Sequence, residues 1–473
     1  MSGSRTVIKN TGAMLLGTVV RMSASFILVI FIGRKLGPTG MGEFSIILTL
    51  FWIFQTMASM GIQPLIIREV AKDRKKTGII LTNASILSCL VSLFMAGAMI
   101  GFGHLMGYSM AIQQASLWMG AALIIATISL VFQSVFIAWE KAELVLISMT
   151  WENIIRMSAG IFVLFKGGGV VEIAGVFALA SLVNLAVNVW LTIKKITDLH
   201  LKTDIKVCFW LARLIPAFAG ISIFSTLFWH MDMLLLSRLV SMEEVGYYSA
   251  PMRLVTVIKL VLQSYKIAIQ PVAARLFLVS REEFKAFCEK SLFYVFIFSV
   301  PICVGGFILS DKILLFIFGD AFTQSSMIFQ IVVWIIIPYG IMLVFASFLI
   351  ASHHQNVDLR INLISMISAY VLGYIFISQA GAIGAGLAVF CSILLFMMQQ
   401  FIFIFRHMFK INFWQLTYKI ILSAIVMGGT IRLLHNFHVI ICVTTGVCVY
   451  FVMLAVLNVF SVKDIQYLIR LKR

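Results

Sequence analysis

The stretch from Leu211 to Arg275 reads as two long apolar helices joined between Arg238 and Gly246, and five of its ionisable side chains fall well inside those helices. His230 and Asp232 sit on the first helix, in FWHMDMLLL; Arg253, Lys259 and Lys266 sit on the second, in YYSAPMRLVTVIKLVLQSYKIAIQP. A charge at membrane depth costs roughly 2.5–3.5 kcal/mol on insertion scales. Such a group persists where it faces a wet cavity or a partner, so its default reading is part of a transport path. Lys259 and Lys266 are seven residues apart and share one helix face.

Four more charges fall inside apolar runs. Arg21 stands near the middle of the first run, too deep to snorkel. It either faces a cavity and meets an anionic head group, or hydrogen-bonds helix carbonyls or a neighbouring carboxylate. Glu152 and Arg156 are i,i+4 and can neutralise each other; the alternative is a role toward substrate or a proton. Lys419 lies four residues from a helix end and can snorkel to the surface, and Lys266 is near an end too. Asp232 and Arg253 lie toward the outer ends of adjacent helices and can pair, with substrate or a proton competing for Arg253. His230 is a candidate pH-sensitive neighbour of Asp232. Without the Glu152–Arg156 pair and Lys419, up to four cations (Arg21, Arg253, Lys259, Lys266) stand against Asp232. A low-dielectric cavity of that sign attracts anions, and pyrophosphate oxygens suit Arg forks and Lys ammoniums.

The helices that must carry these groups follow from composition. Of 473 residues, 61% are hydrophobic and 12% charged, against about 25% charged in soluble domains. A mean hydropathy of +1.05 cannot be hidden in a soluble core, because surface needs polar cover. The chain is an all-α polytopic membrane protein. Its net charge of +17 sits in short clusters between apolar runs, which orients a polytopic protein and does not suit nucleic acid. Seven cysteines form no CxxC or other metal-like spacing and read as buried small hydrophobes. No metal site and no cofactor are expected. Lys166-Gly-Gly-Gly lacks a following GK[ST] and reads as a turn rather than a phosphate loop. The paired His353–His354, His435 and His438 flank span ends and read as interfacial.

A window of about 19 residues gives about fourteen spans. Six precede the polar connector KKITDLHLKTDIK, six follow it, and a last pair precedes the basic tail KDIQYLIRLKR. The expected organisation is an N-terminal six-helix lobe over 1–200, a C-terminal six-helix lobe over 201–406, and an extra helix pair with the tail over 407–473. The first run is too long for a signal-peptide h-region and reads as a retained span. With both termini inside, inner segments hold 24 of the 36 Lys+Arg and outer segments six, Arg34, Lys35, Lys166, Arg238, Lys312 and Arg432. That bias obeys the positive-inside rule. The tail and the segment Ser280–Glu289 are basic and partly amphipathic, which suits the cytoplasmic leaflet.

The two halves repeat. RKLGPTGMGEFS (Arg34–Ser45) aligns without a gap on RLVSMEEVGYYS (Arg238–Ser249), with Arg, Gly, an aromatic and Ser in register. IQPLIIR (Ile62–Arg68) matches IQPVAAR (Ile269–Arg275). Six being even, the repeats are parallel, and a substrate site is expected between the lobes, as in other two-lobed transporters.

At these residues the chain resembles the polysaccharide-export (Wzx-type) flippases of the multidrug/oligosaccharidyl-lipid/polysaccharide exporter superfamily. GRKLGPTGMGEFS and GIQPLIIREVAKDRKK are similar to that family's opening. D-x-x-L-L-x-R, VGYYSAPMRL and IQPVAARL are similar to its seventh and eighth helices. The resemblance implies an alternating-access transporter that moves an undecaprenyl-pyrophosphate-linked oligosaccharide across the bacterial cytoplasmic membrane. The product would feed O-antigen, capsule or exopolysaccharide synthesis, beside a polysaccharide polymerase and glycosyltransferases, among membrane lipids. It carries Arg21, Asp232 and Arg253 over by position; Lys259 and Lys266 are added from depth and face.

Rival readings are a multidrug transporter or a lipid II-type flippase of the same superfamily, and a membrane-embedded polymerase. The multidrug branch usually has twelve spans and binds cations with buried carboxylates, whereas this chain has about fourteen and a positive balance. A lipid II flippase shares both of these features. A polymerase needs a general base or an acidic metal motif beside a sizeable outer loop, and neither is found in a chain with only 19 Asp+Glu.

Overall fold

A computed structural model of the chain describes residues 2–59, 61–196, 203–204 and 216–459, with side chains at 23–59, 61–196, 203–204 and 226–459. Among the described residues every regular element is a helix. Helices suit an apolar chain in lipid, because each satisfies its backbone N–H and C=O groups within its own segment. The helices are α1 (Ser2–Ser59), α2 (Ile62–Lys72), α3 (Thr77–Leu105), α4 (Met110–Ala138), α5 (Ala142–Phe165), α6 (Val170–Lys195) and α7 (Pro216–Leu239). They continue as α8 (Met242–Val279), α9 (Arg281–Ile308), α10 (Ser310–Phe318), α11 (Ser325–Val332), α12 (Ile336–Ala351), α13 (Gln355–His407), α14 (Phe413–Leu433) and α15 (Val439–Val456).

Nine stretches among the described residues are long and apolar enough to cross a bilayer. Two of them are too long for one crossing. The 58 residues of α1 and the 53 of α13 would extend roughly 80–90 Å at 1.5 Å per residue, against a ~30 Å hydrocarbon core. Each is broken by a glycine with positive φ: Gly37 (φ 67°) in α1, and Gly381 (φ 54°), next to non-helical Ala380, in α13. At the second break the chain folds back so tightly that a Cβ on Gly384 would lie 1.9 Å from the carbonyl oxygen of Phe376. With these second legs counted, and with the charged helices α5, α7 and α8, the described helices include fourteen segments of bilayer-spanning length.

Local features shape the spans and their connections in three places. Helix α9 starts at Arg281, so residues 281–289 are its first turns and not a separate surface helix. The cause is local: Ser280 caps the helix by accepting from the Glu283 N–H, and Glu282 and Glu283 sit in the first turn, where carboxylates complement the helix dipole. The stretch from Ser325 to Ala351 is not one continuous α-helix but α11, a 3-10 turn at Val333–Ile335, and α12, with Pro338 in the first turn of α12, where its missing N–H costs nothing. The connection before it holds the short helix α10.

By internal contacts the chain divides into two compact units, Met1–Gly246 and Tyr247–Arg473. In the first, α4 lies against α3 and α6, α5 against α1 and α6, and α7 against α1. The contact of α7 with α1 carries the divide one helix past the polar connector. Leu65, Ile66, Val70, Leu81, Ala84, Val131 and Val135 form a continuous buried cluster there. In the second, α9 lies against α12 and α14, α12 against α13, and α14 against α15. Leu90, Phe94, Ile364, Ile367, Val371, Phe451 and Val452 point outward, each more than half exposed. An apolar exterior on this scale fits lipid and not water. The molecule is a multi-pass membrane protein.

Candidate functional site

Polar side chains converge inside the first unit. Gln55 comes from the second leg of α1, Ser129 and Gln133 from α4, Glu152 and Arg156 from α5, Ser181 and Asn184 from α6. They line a cavity of about 140 Å³ together with Phe51, Trp52 and Phe177. Helical geometry puts them there: Ser129/Gln133 are i,i+4, and Ser181, Asn184 and Asn188 are spaced three and four, so each pair or trio forms a stripe on one face.

Arg156 is held from two sides. Its guanidinium donates to the Glu152 carboxylate one turn earlier, and its Cζ lies 4.4 Å from the centre of the Phe177 ring. The side chains of Arg156 and Glu152 are 16% and 18% exposed, enough burial for the pair to matter and for its loss to hurt. The self-neutralising arrangement is the one formed. Beside it, Gln133 Nε2 donates to Asn184 Oδ1 at 3.3 Å and Asn188 Nδ2 donates to the same oxygen at 2.9 Å. Ser129 Oγ, Asn184 Nδ2 and Arg156 Nε have no hydrogen-bond partner among the described residues. An unmet buried polar group costs about 1–3 kcal/mol.

In the second unit, Lys259 on α8 holds its ammonium 4.8 Å from the centre of the Tyr339 ring on α12. Gln263, one turn further along α8, donates to the Tyr339 hydroxyl at 2.7 Å, so Lys259 and Gln263 address the same buried ring. Lys266 continues that face, and Lys266, Lys259 and Arg253 are all partly covered. Asp232 and His230 are partly covered positions of α7 in the first unit. Arg21 lies outside the residues whose side chains are described.

Lys419 reaches a helix end: its Nζ donates at 2.9 Å to the carbonyl of Leu457, the C-cap of α15. His435 pairs with Asp311 at 3.7 Å at helix ends, and the triple glycine forms the α5–α6 turn, where Glu172 Oε2 accepts from the Gly169 N–H at 2.7 Å. Among the described residues no group of three His, Cys, Asp or Glu has metal-binding geometry.

Charge alone missed the amide stripe, Gln55, Gln133, Asn184 and Asn188, and missed Tyr339. The stripe had a signal, namely uncharged polar residues repeating at three and four within apolar runs. A hydropathy window averages over all faces and erases it. Tyr339 had none, since it lies 80 residues from Lys259 in the chain.

The family model described as "Polysaccharide biosynthesis protein" matches residues 7–277, and the MatE model matches residues 216–375. A Shigella flexneri protein named "Putative O-antigen transporter" is 21% identical over 407 residues, which cover 81% of this chain and 94% of that protein. In fold, the chain is similar to the lipid II flippase MurJ in an inward closed conformation, with TM-score 0.75 at 16% identity over 95% of this chain and 98% of that one. It is also similar to an inward-facing multidrug resistance MATE transporter of the MOP superfamily, with TM-score 0.67 at 14% identity over 81% and 96% of the two chains. A MOP superfamily transporter from Pyrococcus furiosus follows at TM-score 0.59 and 14% identity over 84% and 94%. With a family model spanning more than half of its length, both repeat segments and the two-unit helical fold in agreement, this chain belongs to the polysaccharide biosynthesis protein family, the Wzx-type flippases of the MOP superfamily.

Proposed function

We propose that this protein is an alternating-access flippase that carries an undecaprenyl-pyrophosphate-linked oligosaccharide across the bacterial cytoplasmic membrane for surface polysaccharide assembly. The observation that carries this reading is the charge balance within the spans. Glu152 is engaged with Arg156 and Lys419 with a helix-end carbonyl. Arg21, Arg253, Lys259 and Lys266 then outnumber Asp232 at membrane depth, which favours an anionic head group. The polyprenyl tail stays in lipid while cations meet the pyrophosphate. Asp232 is the candidate coupling group for a proton or cation. Both termini lie in the cytoplasm on this reading. Polysaccharide polymerase and glycosyltransferases act beside it, and the protein itself performs no covalent chemistry.

The name of the Shigella relative supports this substrate class, whereas the likeness to the lipid II flippase, at 16% identity, supports the fold. Deleting the gene in its host separates the two. Loss of surface polymer with continued growth is expected; arrest of growth with cell-wall failure would transfer the assignment to lipid II. In complemented cells, Arg253→Ala and Arg21→Ala should each abolish surface polymer while membrane levels of the protein stay normal. Normal polymer from both variants would remove their assigned roles.

A further inference from the structure

We propose that the polar cavity of the first unit is a saccharide subsite, which holds one sugar ring of the substrate apart from the pyrophosphate. It rests on the flippase reading above and adds where, and by what chemistry, the glycan is bound.

The cavity's polarity is mixed and its net charge is nil. Glu152 and Arg156 cancel each other, so neither a bare anion nor a bare cation finds an uncompensated charge. The unmet groups include two donors, Asn184 Nδ2 and Arg156 Nε, and one hydroxyl, Ser129 Oγ, able to donate and accept. Asn184 and Ser129 are each 2% exposed, so bulk water does not serve them. Gln133 and Asn188 fix the Asn184 amide through its oxygen, which leaves its NH₂ group for an incoming acceptor. Gln55 brings a further carboxamide to the wall. Neighbouring hydroxyls on a sugar ring each donate and accept, and a row of carboxamides is matched to that pattern.

The apolar part of the wall fits the other face of a sugar. Trp52 lines the cavity and is 42% exposed, and its indole offers a flat surface to ring C–H groups while its N–H stays available. Volume agrees. About 140 Å³ is roughly tenfold what one water needs by the same measure, which suits a ring-sized group.

The test uses the purified protein in lipid nanodiscs and two probes: the oligosaccharide repeat released without lipid from the host's own surface polymer, and bare undecaprenyl pyrophosphate. Saturation-transfer NMR is expected to show contact between wild-type protein and the free repeat, strongest on one ring. Trp52→Ala and Asn184→Ala should each weaken that binding about tenfold, with thermal melting as the folding control. Trp52→Ala, at a half-exposed position, keeps the test decisive if Asn184→Ala fails to fold. Bare undecaprenyl pyrophosphate should bind without displacing the repeat. Binding of the repeat that is unchanged in a folded Trp52→Ala variant overturns the subsite. Binding of the bare lipid pyrophosphate with none of the repeat overturns the subsite and leaves the flippase reading standing. If neither probe binds, both fall.

Discussion

Arg156 and Lys259 show two ways of keeping a cation among apolar helices, and they respond differently to substitution. Arg156 depends on Glu152. Glu152→Gln leaves the guanidinium with the Phe177 ring alone, and since the pair is partly exposed, stability should fall by about 2 kcal/mol, below the 3–5 kcal/mol of fully buried pairs. The double change Glu152→Gln with Arg156→Gln should recover most of that, because no charge is then stranded. Thermal unfolding in detergent of the two variants measures the difference, and equal losses in both would deny the pair a structural role. Lys259 instead faces a ring whose hydroxyl Gln263 fixes. Tyr339→Phe keeps the π face and loses one hydrogen bond, a cost of about 1 kcal/mol, so transport should persist. Lys259→Met removes the charge and should lose surface polymer at unchanged membrane levels. The depth of Lys259 could be read from sequence because a charge in a hydropathy trough is conspicuous. Its ring partner could not, because helix pairing far along the chain leaves no local mark.

At the scale of elements, the sequence repeat has a structural counterpart. Gly42 and Gly246 occupy equivalent positions in the two aligned segments, as do Pro38 and Met242. A Cβ on Gly42 would lie 1.9 Å from the Met242 carbonyl oxygen, and one on Gly246 would lie 1.8 Å from the Pro38 carbonyl oxygen. Each glycine is thus crossed by the backbone four residues ahead of the other, a reciprocal contact of two first turns that only Gly permits. Gly42→Ala and Gly246→Ala should each destabilise by at least the upper end of the 1–3 kcal/mol typical of overpacking, visible as loss of monodisperse protein on size exclusion. Gly97→Ala and Gly101→Ala, where an added Cβ meets nothing within 4 Å, should be neutral or slightly stabilising. The register of the repeat was open to sequence reading, since identical spacing needs only alignment. The contact was not, because a glycine chosen for close approach looks like any other. Span number was readable from apolar length alone. Local features of the spans were set by capping at Ser280 and by the 3-10 turn at Val333–Ile335, which hydropathy does not register.

For the whole molecule, the 24-to-six asymmetry of Lys+Arg between the two sets of connections predicts orientation. Alkaline phosphatase fused after Lys166 should be active, and fused after Lys76 inactive; the reverse would invert the topology. Composition made the membrane class plain, and the cation excess suggested an anionic cargo. The neutral amide cavity emerged only when four helices were brought together, since no single span contains enough polar residues to announce it. The decisive measurement is transport by the purified protein in sealed liposomes loaded on one leaflet with undecaprenyl-pyrophosphate oligosaccharide carrying a label accessible only from outside. Wild-type protein should move the labelled lipid to the far leaflet, and Arg253→Ala should not. Transfer at the rate of protein-free liposomes, with the same protein moving lipid II instead, would contradict the assignment.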